Sequence, residues 1–402
     1  MKVRHVAVLG AGIMGSATAL LLARGGARVV LFDRAPRPFA GASRWNEGKI
    51  HLGHLYAADP SLQTARCVLP GGLAFKPLTE RLIGCSLEGA ITAEDDTYLV
   101  HRNSAVAIGA MAHYFEAVTA LAAAHPGRAG YLADLSGARC HRLTAAELDC
   151  LADTSRIAAG FRVPERSVST TWLADRFVEA LAAEPRIEQA MATEVRAVHG
   201  DAALAGRLTV ETSRGIEGPF DAVVNALWEG RIALDEQLGI RTPAGFSHRY
   251  RLSLFLRTRE PATLPSAVIA LGPFGDVKNY GGREFYLSWY PAGLMAEGGD
   301  FAPPVLEPLT PTARQRIAAD ILDQLGGLLP GVAELPAKAV EMRVEGGWVY
   351  AAGRGSLADP AATIHRRDRL GIQRHGAYLS IDTGKYSVAP WLAEQVVEML
   401  GF

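Results

Sequence analysis

The feature that most constrains this chain is an apolar run, Val6 to Leu9, that breaks directly into Gly10-Ala11-Gly12-Ile13-Met14-Gly15. The run has the length of a buried strand. An apolar stretch of helical length follows, from Met14 to about Arg24, and Gly25-Gly26 ends it. A second apolar run, Arg28 to Phe32, finishes in Asp33. The spacing predicts a βαβ unit with a glycine at each critical place. Gly10 permits the tight turn out of the strand. Gly12 leaves room for a pyrophosphate against the backbone, and Gly15 lets helix and strand pack closely. The helix start offers free N–H groups and the positive end of its dipole to the phosphates. Asp33 follows Gly15 by 18 residues, where a carboxylate accepts hydrogen bonds from ribose hydroxyls. The pattern points to a dinucleotide and does not separate NAD from FAD.

At 402 residues the chain has room for two domains, and 49% hydrophobic residues supply their cores. The 41 Lys+Arg balance 42 Asp+Glu, unlike a dedicated nucleic-acid binder. No apolar run reaches the length of a membrane span. The N-terminus reads as a strand, not a signal peptide. Cys67, Cys85, Cys140 and Cys150 form no CxxC and read as reduced thiols. No metal is expected, and a cytoplasmic location is the default.

Further along, Gly41 to Gly53 is a loop dense in glycine and polar groups, suited to a cofactor contact. Ser61 to Leu82 reads as helix with a break at Pro70-Gly71-Gly72. Ala105–Ala124 reads as helix, and Thr144-Ala145-Ala146-Glu147 as a capping box opening a short helix. Thr97–His101 and Ala158–Val163 read as strands, and a helix runs from about Trp172 to Ala183. Glu194–Val198, Leu208–Thr212 and Asp221–Ala226 read as three strands joined by short turns. His248–Arg257 and Glu284–Tyr290 alternate strongly and predict a second, largely antiparallel sheet. Thr312–Leu325 reads as an amphipathic helix, Val344–Ala352 and Ala377–Asp382 as strands, and Ala389–Leu400 as the last helix.

Four motifs in this order carry a resemblance. They are Gly10 to Asp33, Ser43-Arg44-Trp45-Asn46-Glu47-Gly48, the strand Asp221-Ala222-Val223-Val224-Asn225-Ala226, and the turn Gly384-Lys385-Tyr386-Ser387 before the last helix. In these the chain resembles the FAD-dependent oxidoreductases of the D-amino-acid oxidase type. The run Asn46, Gly48, Ile50, His51, Gly53, Tyr56, Pro60, Ser61, Leu62, Ala65 and Cys67 is similar to the L-2-hydroxyglutarate dehydrogenase branch. One departure stands out. Glycine usually follows the Asn-Ala-Ala of that strand, and here Leu227-Trp228-Glu229 stands instead.

The resemblance implies an α/β fold, a Rossmann-like FAD-binding domain with an inserted α+β substrate domain. The borders would put 1–85, 160–245 and 340–402 in the FAD domain, and 86–159 and 246–339 in the substrate domain. It also implies FAD contacts at Gly10, Gly12, Gly15, Asp33, Arg34, Ser43, Arg44, Asn46, Gly48, Val195, Ala226, Gly384, Lys385, Tyr386 and Ser387. Val195 would reach the adenine through its backbone. Lys385 would sit at the pyrimidine edge of the flavin, where a cation stabilises the charge that reduction places there.

Arg249 and Arg251 alternate on one strand face, and each offers a fork for a carboxylate. Arg354, His365, Arg366 and Arg367 form a second basic group. Arg249, Arg251, Tyr290, Arg354 and Arg366 are therefore the candidate substrate contacts. Tyr280, Tyr286, Trp289 and Tyr290 could wall the flavin or simply pack the sheet. His51 has three readings. It is a general base for a hydroxyl proton, the covalent anchor of a flavin as a resemblance to sarcosine-type dehydrogenases implies, or a histidine satisfied by loop carbonyls. The expected activity removes a hydride from a C–H beside a hydroxyl or amine of a small, anionic substrate. Oxygen or another acceptor reoxidises the flavin. Rival readings are an amine or amino-acid oxidase, a NAD-dependent enzyme and a non-catalytic dinucleotide-binding protein.

Overall fold

The structure, a computed structural model, describes residues 4–200, 206–242 and 245–402. The expected βαβ unit opens it: strand His5–Leu9, helix Ile13–Arg24, strand Arg28–Phe32. After His5 and Arg28 at their starts, both strands are apolar and buried on both faces, the signature of a parallel sheet covered by helices. Six strands make that sheet, in the order Gly371–His375, Tyr378–Asp382, Ala222–Asn225, His5–Leu9, Arg28–Phe32, Ile187–Ala190. All neighbours are parallel except the first pair. The helix Ile13–Arg24 is buried almost all round, because the last helix, Ala389–Met399, closes its outer side.

A nine-stranded sheet forms the second layer. Its long central strand, Ser247–Thr258, pairs along its whole length with Ala339–Ala351. On its other side lie Leu294–Gly298 and Glu284–Trp289. The sheet is antiparallel apart from Asp96–His101 against Ala267–Ala270. The helix Pro311–Gly326 seats Ile321 and Leu325 over Leu254, Leu256 and Leu287 to make a separate core. The strands Ile157–Val163 and Ala339–Ala351 both belong to this sheet. The expected borders at 160 and 340 therefore fall inside paired strands, and we propose to draw them outside those strands.

Three local expectations differ from the structure. The helix Gln63–Ile83 runs through Pro70-Gly71-Gly72 without a break. Those glycines form a notch, where a Cβ on Gly71 would meet Val388 at 2.5 Å and one on Gly72 the His51 carbonyl oxygen at 2.2 Å. Secondly, a strand Gly215–Phe220 intervenes after Leu208–Thr212 and joins Val195–Gly200 in a three-stranded sheet. Its two glycines and Pro219 weaken the strand pattern. The turn expected after Val195–Gly200 includes 201–205, outside the described residues. Thirdly, Ala222–Asn225 leaves that group and enters the parallel sheet beside His5–Leu9.

Candidate functional site

A cavity of about 770 Å³ opens at the carboxyl ends of the parallel strands and runs to the second sheet, the place where open α/β sheets bind ligands. At one end lies the glycine turn. Gly10 has φ +98°, and a Cβ there would lie 2.6 Å from the Ala226 carbonyl oxygen. A Cβ on Gly15 would stand 1.8 Å from the Gly10 carbonyl oxygen, so the helix seats directly on the turn. Gly12 faces the cavity and Ser43, whose Oγ accepts a hydrogen bond from the Ile13 N–H at 3.0 Å. No side chain of residue 12 caps this helix. The Asp33 carboxylate is aimed by the Ala11 N–H at 2.7 Å and the Ala35 N–H at 2.8 Å.

Arg34, Asn46, Val195 and Ala226 line the same end. Arg34 reaches Glu229 at 2.9 Å. Asn46 is locked by its Nδ2 donating to the Ala42 carbonyl and its Oδ1 accepting from the Gly48 N–H, both at 2.8 Å. Arg44 differs. Its guanidinium pairs with Asp175 at 2.8 Å and lies over Trp45, away from the lining. Gly48, at φ +59°, serves packing, since a Cβ there would meet the Val168 carbonyl oxygen at 1.9 Å. Trp228 takes the departed glycine's place at φ +57°, and its Nε1 donates to the Trp348 carbonyl at 2.8 Å.

The other end gathers Glu47, Lys49, His51, Arg251, Arg367 and Lys385. Gly384, Lys385 and Tyr386 line the cavity, whereas Ser387 is buried behind it. His51 is 1% exposed, and its Nδ1 has no partner among the described residues. Burial, helped by Lys385, holds the His51 pKa well below the usual imidazole value, so the ring is neutral. Burial and Arg367 push the Lys385 ammonium down to about 7. Burial opposes ionisation of Glu47, but Lys385 and its own backbone N–H leave its carboxyl below the ordinary value. Burial and Arg249 bring Arg367 down to about 10.

Behind this wall lies a fully buried polar group. Lys49 pairs with Asp96 and lies 3.6 Å from Glu165. Lys278 pairs with Asp96 at 2.7 Å. Burial works against the Lys49 charge, yet Asp96 and Glu165 hold its pKa above the ordinary value. Burial, with Lys49 beside it, brings Lys278 down to about 8.

The structure brings together only part of the expected substrate set. Arg251 lines the cavity. Arg249 lies just behind, donating to the Tyr290 hydroxyl at 2.9 Å, and both guanidiniums lie over the Tyr290 ring. Tyr280, Tyr286, Trp289 and Tyr290 are sheet packing, outside the lining. Arg354 is exposed and donates to the Phe246 carbonyl at 3.1 Å. Arg366 is exposed too, and its neighbour Arg367 points inward instead. The short helical turn Thr363–His365 decides which of the two adjacent arginines faces the site. Glu47 and Lys49 were legible only as charges inside a glycine-rich loop. Glu165 had no local signal at all.

The model of the FAD dependent oxidoreductase (DAO) family matches residues 5–382. No curated protein matches the chain. Solved structures share its fold. Glycine oxidase from Geobacillus kaustophilus is 15% identical with a TM-score of 0.67, covering 98% of this chain and 95% of its own. L-proline dehydrogenase from P. horikoshii is 14% identical at 0.66, covering 99% and 93%. L-alpha-glycerophosphate oxidase from Mycoplasma pneumoniae, solved with FAD bound, is 15% identical at 0.61, covering 100% and 96%. Among the described residues no helix is long and apolar enough to cross a membrane.

Proposed function

The chain belongs to the FAD-dependent oxidoreductase family, and from that premise we propose that it oxidises a small anionic substrate at a carbon bearing a hydroxyl group. The glycine turn, the helix start behind Gly12 and Asp33 fit the diphosphate and ribose of FAD. When bound, FAD accepts the hydride and passes two electrons to oxygen or another acceptor. The protein's share is binding, orientation and one proton.

The observation that carries the reading is the company of His51. A neutral, buried imidazole faces the cavity wall that also holds Arg251, Arg367 and Lys385. The guanidiniums supply forks for a carboxylate or another anionic group, with Arg249 adding positive charge behind them. With the anion clamped, the reacting C–H and hydroxyl are held in one orientation. As the hydride leaves the carbon, the hydroxyl proton passes to the His51 imidazole and a carbonyl forms. Neutral His51 is the form that accepts a proton.

One observation favours the amine alternative. Glu47 lines the same cavity and is held ionised beside Lys385 and Arg251. A carboxylate in the cavity wall suits an ammonium group better than a hydroxyl. The two glycine- and proline-oxidising proteins named above act on amines by their names, and the glycerophosphate oxidase does not.

The visible spectrum of the purified protein, followed anaerobically against a panel of amino and hydroxy acids, separates the readings. Bleaching by hydroxy acids alone supports the proposal, bleaching by amino acids alone supports the alternative, and a coloured protein that nothing bleaches refutes both. His51→Gln assigns the base. Retained flavin with turnover lower by on the order of a hundredfold marks a general base. Flavin that stays with the denatured parent but leaves denatured His51→Gln marks covalent attachment. Unchanged spectrum and turnover leave a purely structural histidine.

A further inference from the structure

The segment that carries His51 is Ile50-His51-Leu52-Gly53-His54. It is not helical until His54, and its only strand pairing is Ile50 to Arg166. Its buried backbone groups must be satisfied some other way. Glu165 does most of that. Its Oε1 accepts the N–H groups of Leu52 at 2.7 Å, Gly53 at 2.9 Å and His54 at 3.3 Å. Its Oε2 accepts the Tyr98 hydroxyl at 2.7 Å and faces the Lys49 ammonium at 3.6 Å. The carboxylate is completely buried. The carbonyls are held separately, the Ile50 oxygen by the Tyr131 hydroxyl at 2.8 Å and the Gly53 oxygen by Tyr114 at 3.3 Å. Behind the segment, the Gly72 notch lets a helix close on the His51 carbonyl.

We infer that Glu165 is the positioning residue for His51. One carboxylate anchors the three N–H groups that follow the histidine, and Lys49 and Tyr98 anchor the carboxylate. Its anchors, Tyr98 on the nine-stranded sheet and Lys49 at the cavity wall, fix the imidazole relative to both the cavity and the substrate arginines. Glu165 itself does not line the cavity; it acts on His51 through the 50–54 segment and through its charge, and reaches the cavity wall otherwise only through Lys49. This inference rests on the reading of His51 as the base and can fail independently of it.

Glu165→Gln keeps the volume and one carbonyl oxygen, but puts an amide NH2 against Lys49 and Tyr98. The substrate is whichever acid bleaches the flavin in the panel above. Because displacement of a reacting group by about 1 Å costs on the order of a hundredfold, kcat should fall by ~10- to 100-fold, with KM within about threefold. The double variant His51→Gln/Glu165→Gln should be no slower than His51→Gln alone, because both act through one group. Losses that multiply, or a kcat within twofold of the parent, would overturn the inference. If His51→Gln leaves turnover intact while Glu165→Gln lowers it, the base assignment fails and so does this route through it.

A readout without substrate is the imidazole NMR signal of His51 in the FAD-loaded protein, assigned by its absence in His51→Gln. Glu165→Gln should shift that signal while leaving the exposed His141 and His199 unmoved. An unshifted His51 signal refutes the positioning role even where no substrate is found. Should Glu165→Gln fail to fold, Tyr98→Phe removes a single hydrogen bond from the carboxylate and should produce the same His51 shift at smaller amplitude. No shift in a folded Tyr98→Phe would count against the inference.

Discussion

Lys385 offers the most quantitative test. It is a cavity-facing ammonium with Arg367, Arg249 and Arg251 around it and Glu47 as its only nearby anion of weight, and burial with Arg367 pushes it from 10.5 to about 7. At ~1.4 kcal/mol for each tenfold change, that displacement corresponds to roughly 5 kcal/mol of penalty on the charged form. Water entering the cavity reduces it, so about 2–4 kcal/mol is the expected size in solution. The sign follows from proton counting. Between pH 7 and 10.5 the unfolded chain holds the Lys385 proton and the folded chain does not. Stability therefore rises with pH across that window, and the penalty is present in full below it.

Lys385→Met removes the charge and keeps most of the stem. In urea unfolding at equal flavin loading, the variant should be about 2–4 kcal/mol more stable than the parent at pH 6. The advantage should shrink steadily from pH 7 and vanish near pH 10.5. A difference that is flat with pH, or that grows with it, refutes the argument. The same substitution should lower the flavin potential, by ~30 mV for each 1.4 kcal/mol of lost stabilisation of the reduced form. Stability and function then pull in opposite directions at one residue, as expected where a site stores an uncompensated charge for use in catalysis.

Three other outcomes are expected. Gly12→Val should abolish FAD copurification, since even its Cβ would stand 2.7 Å from Ser43 Oγ and its methyl groups would occupy the phosphate space; yellow protein refutes this. Arg251→Ala and Arg367→Ala should each raise KM by ~10- to 100-fold, the few kcal/mol of a lost charged contact, while Arg366→Ala should change nothing; equal effects at 366 and 367 in steady-state kinetics would show that the inward arginine is misassigned. Trp228→Gly should relieve ~1 kcal/mol of left-handed strain but lose an indole hydrogen bond and aromatic packing worth more, leaving the protein ~1–2 kcal/mol less stable; a more stable variant in chemical denaturation refutes that balance.

Much of the fold was legible because its strongest demands are local. Gly10 needs a positive φ, Gly15 a missing Cβ, and Asp33 a fixed place after the second strand, and each leaves its mark at a set spacing. The long alternation in Ser247–Thr258 likewise announces a sheet with one face in a core. The continuous helix Gln63–Ile83 was not legible. Pro-Gly-Gly reads as a break wherever the neighbours are unknown, and here two neighbours, Val388 and the His51 carbonyl, are what require the glycines. The same limit divides Arg366 from Arg367. Adjacent arginines are equivalent in a sequence, and a single helical turn assigns one to solvent and one to the cavity.

Trp228 shows how far a motif and the backbone it encodes can separate. The chain departs from glycine here, yet the backbone at Trp228 has φ +57°, the left-handed region that favours glycine. A bulky residue there costs on the order of 1 kcal/mol, so something must return it. The indole does so locally, with Nε1 bonded to the Trp348 carbonyl and its ring edge against Tyr350. Both partners lie on Ala339–Ala351, a strand of the second sheet. Where a glycine would merely permit the turn, the tryptophan ties it to the opposite layer across the cavity mouth. The tryptophan thus occupies a left-handed position that glycine would fill without strain, and attaches the turn to the second sheet.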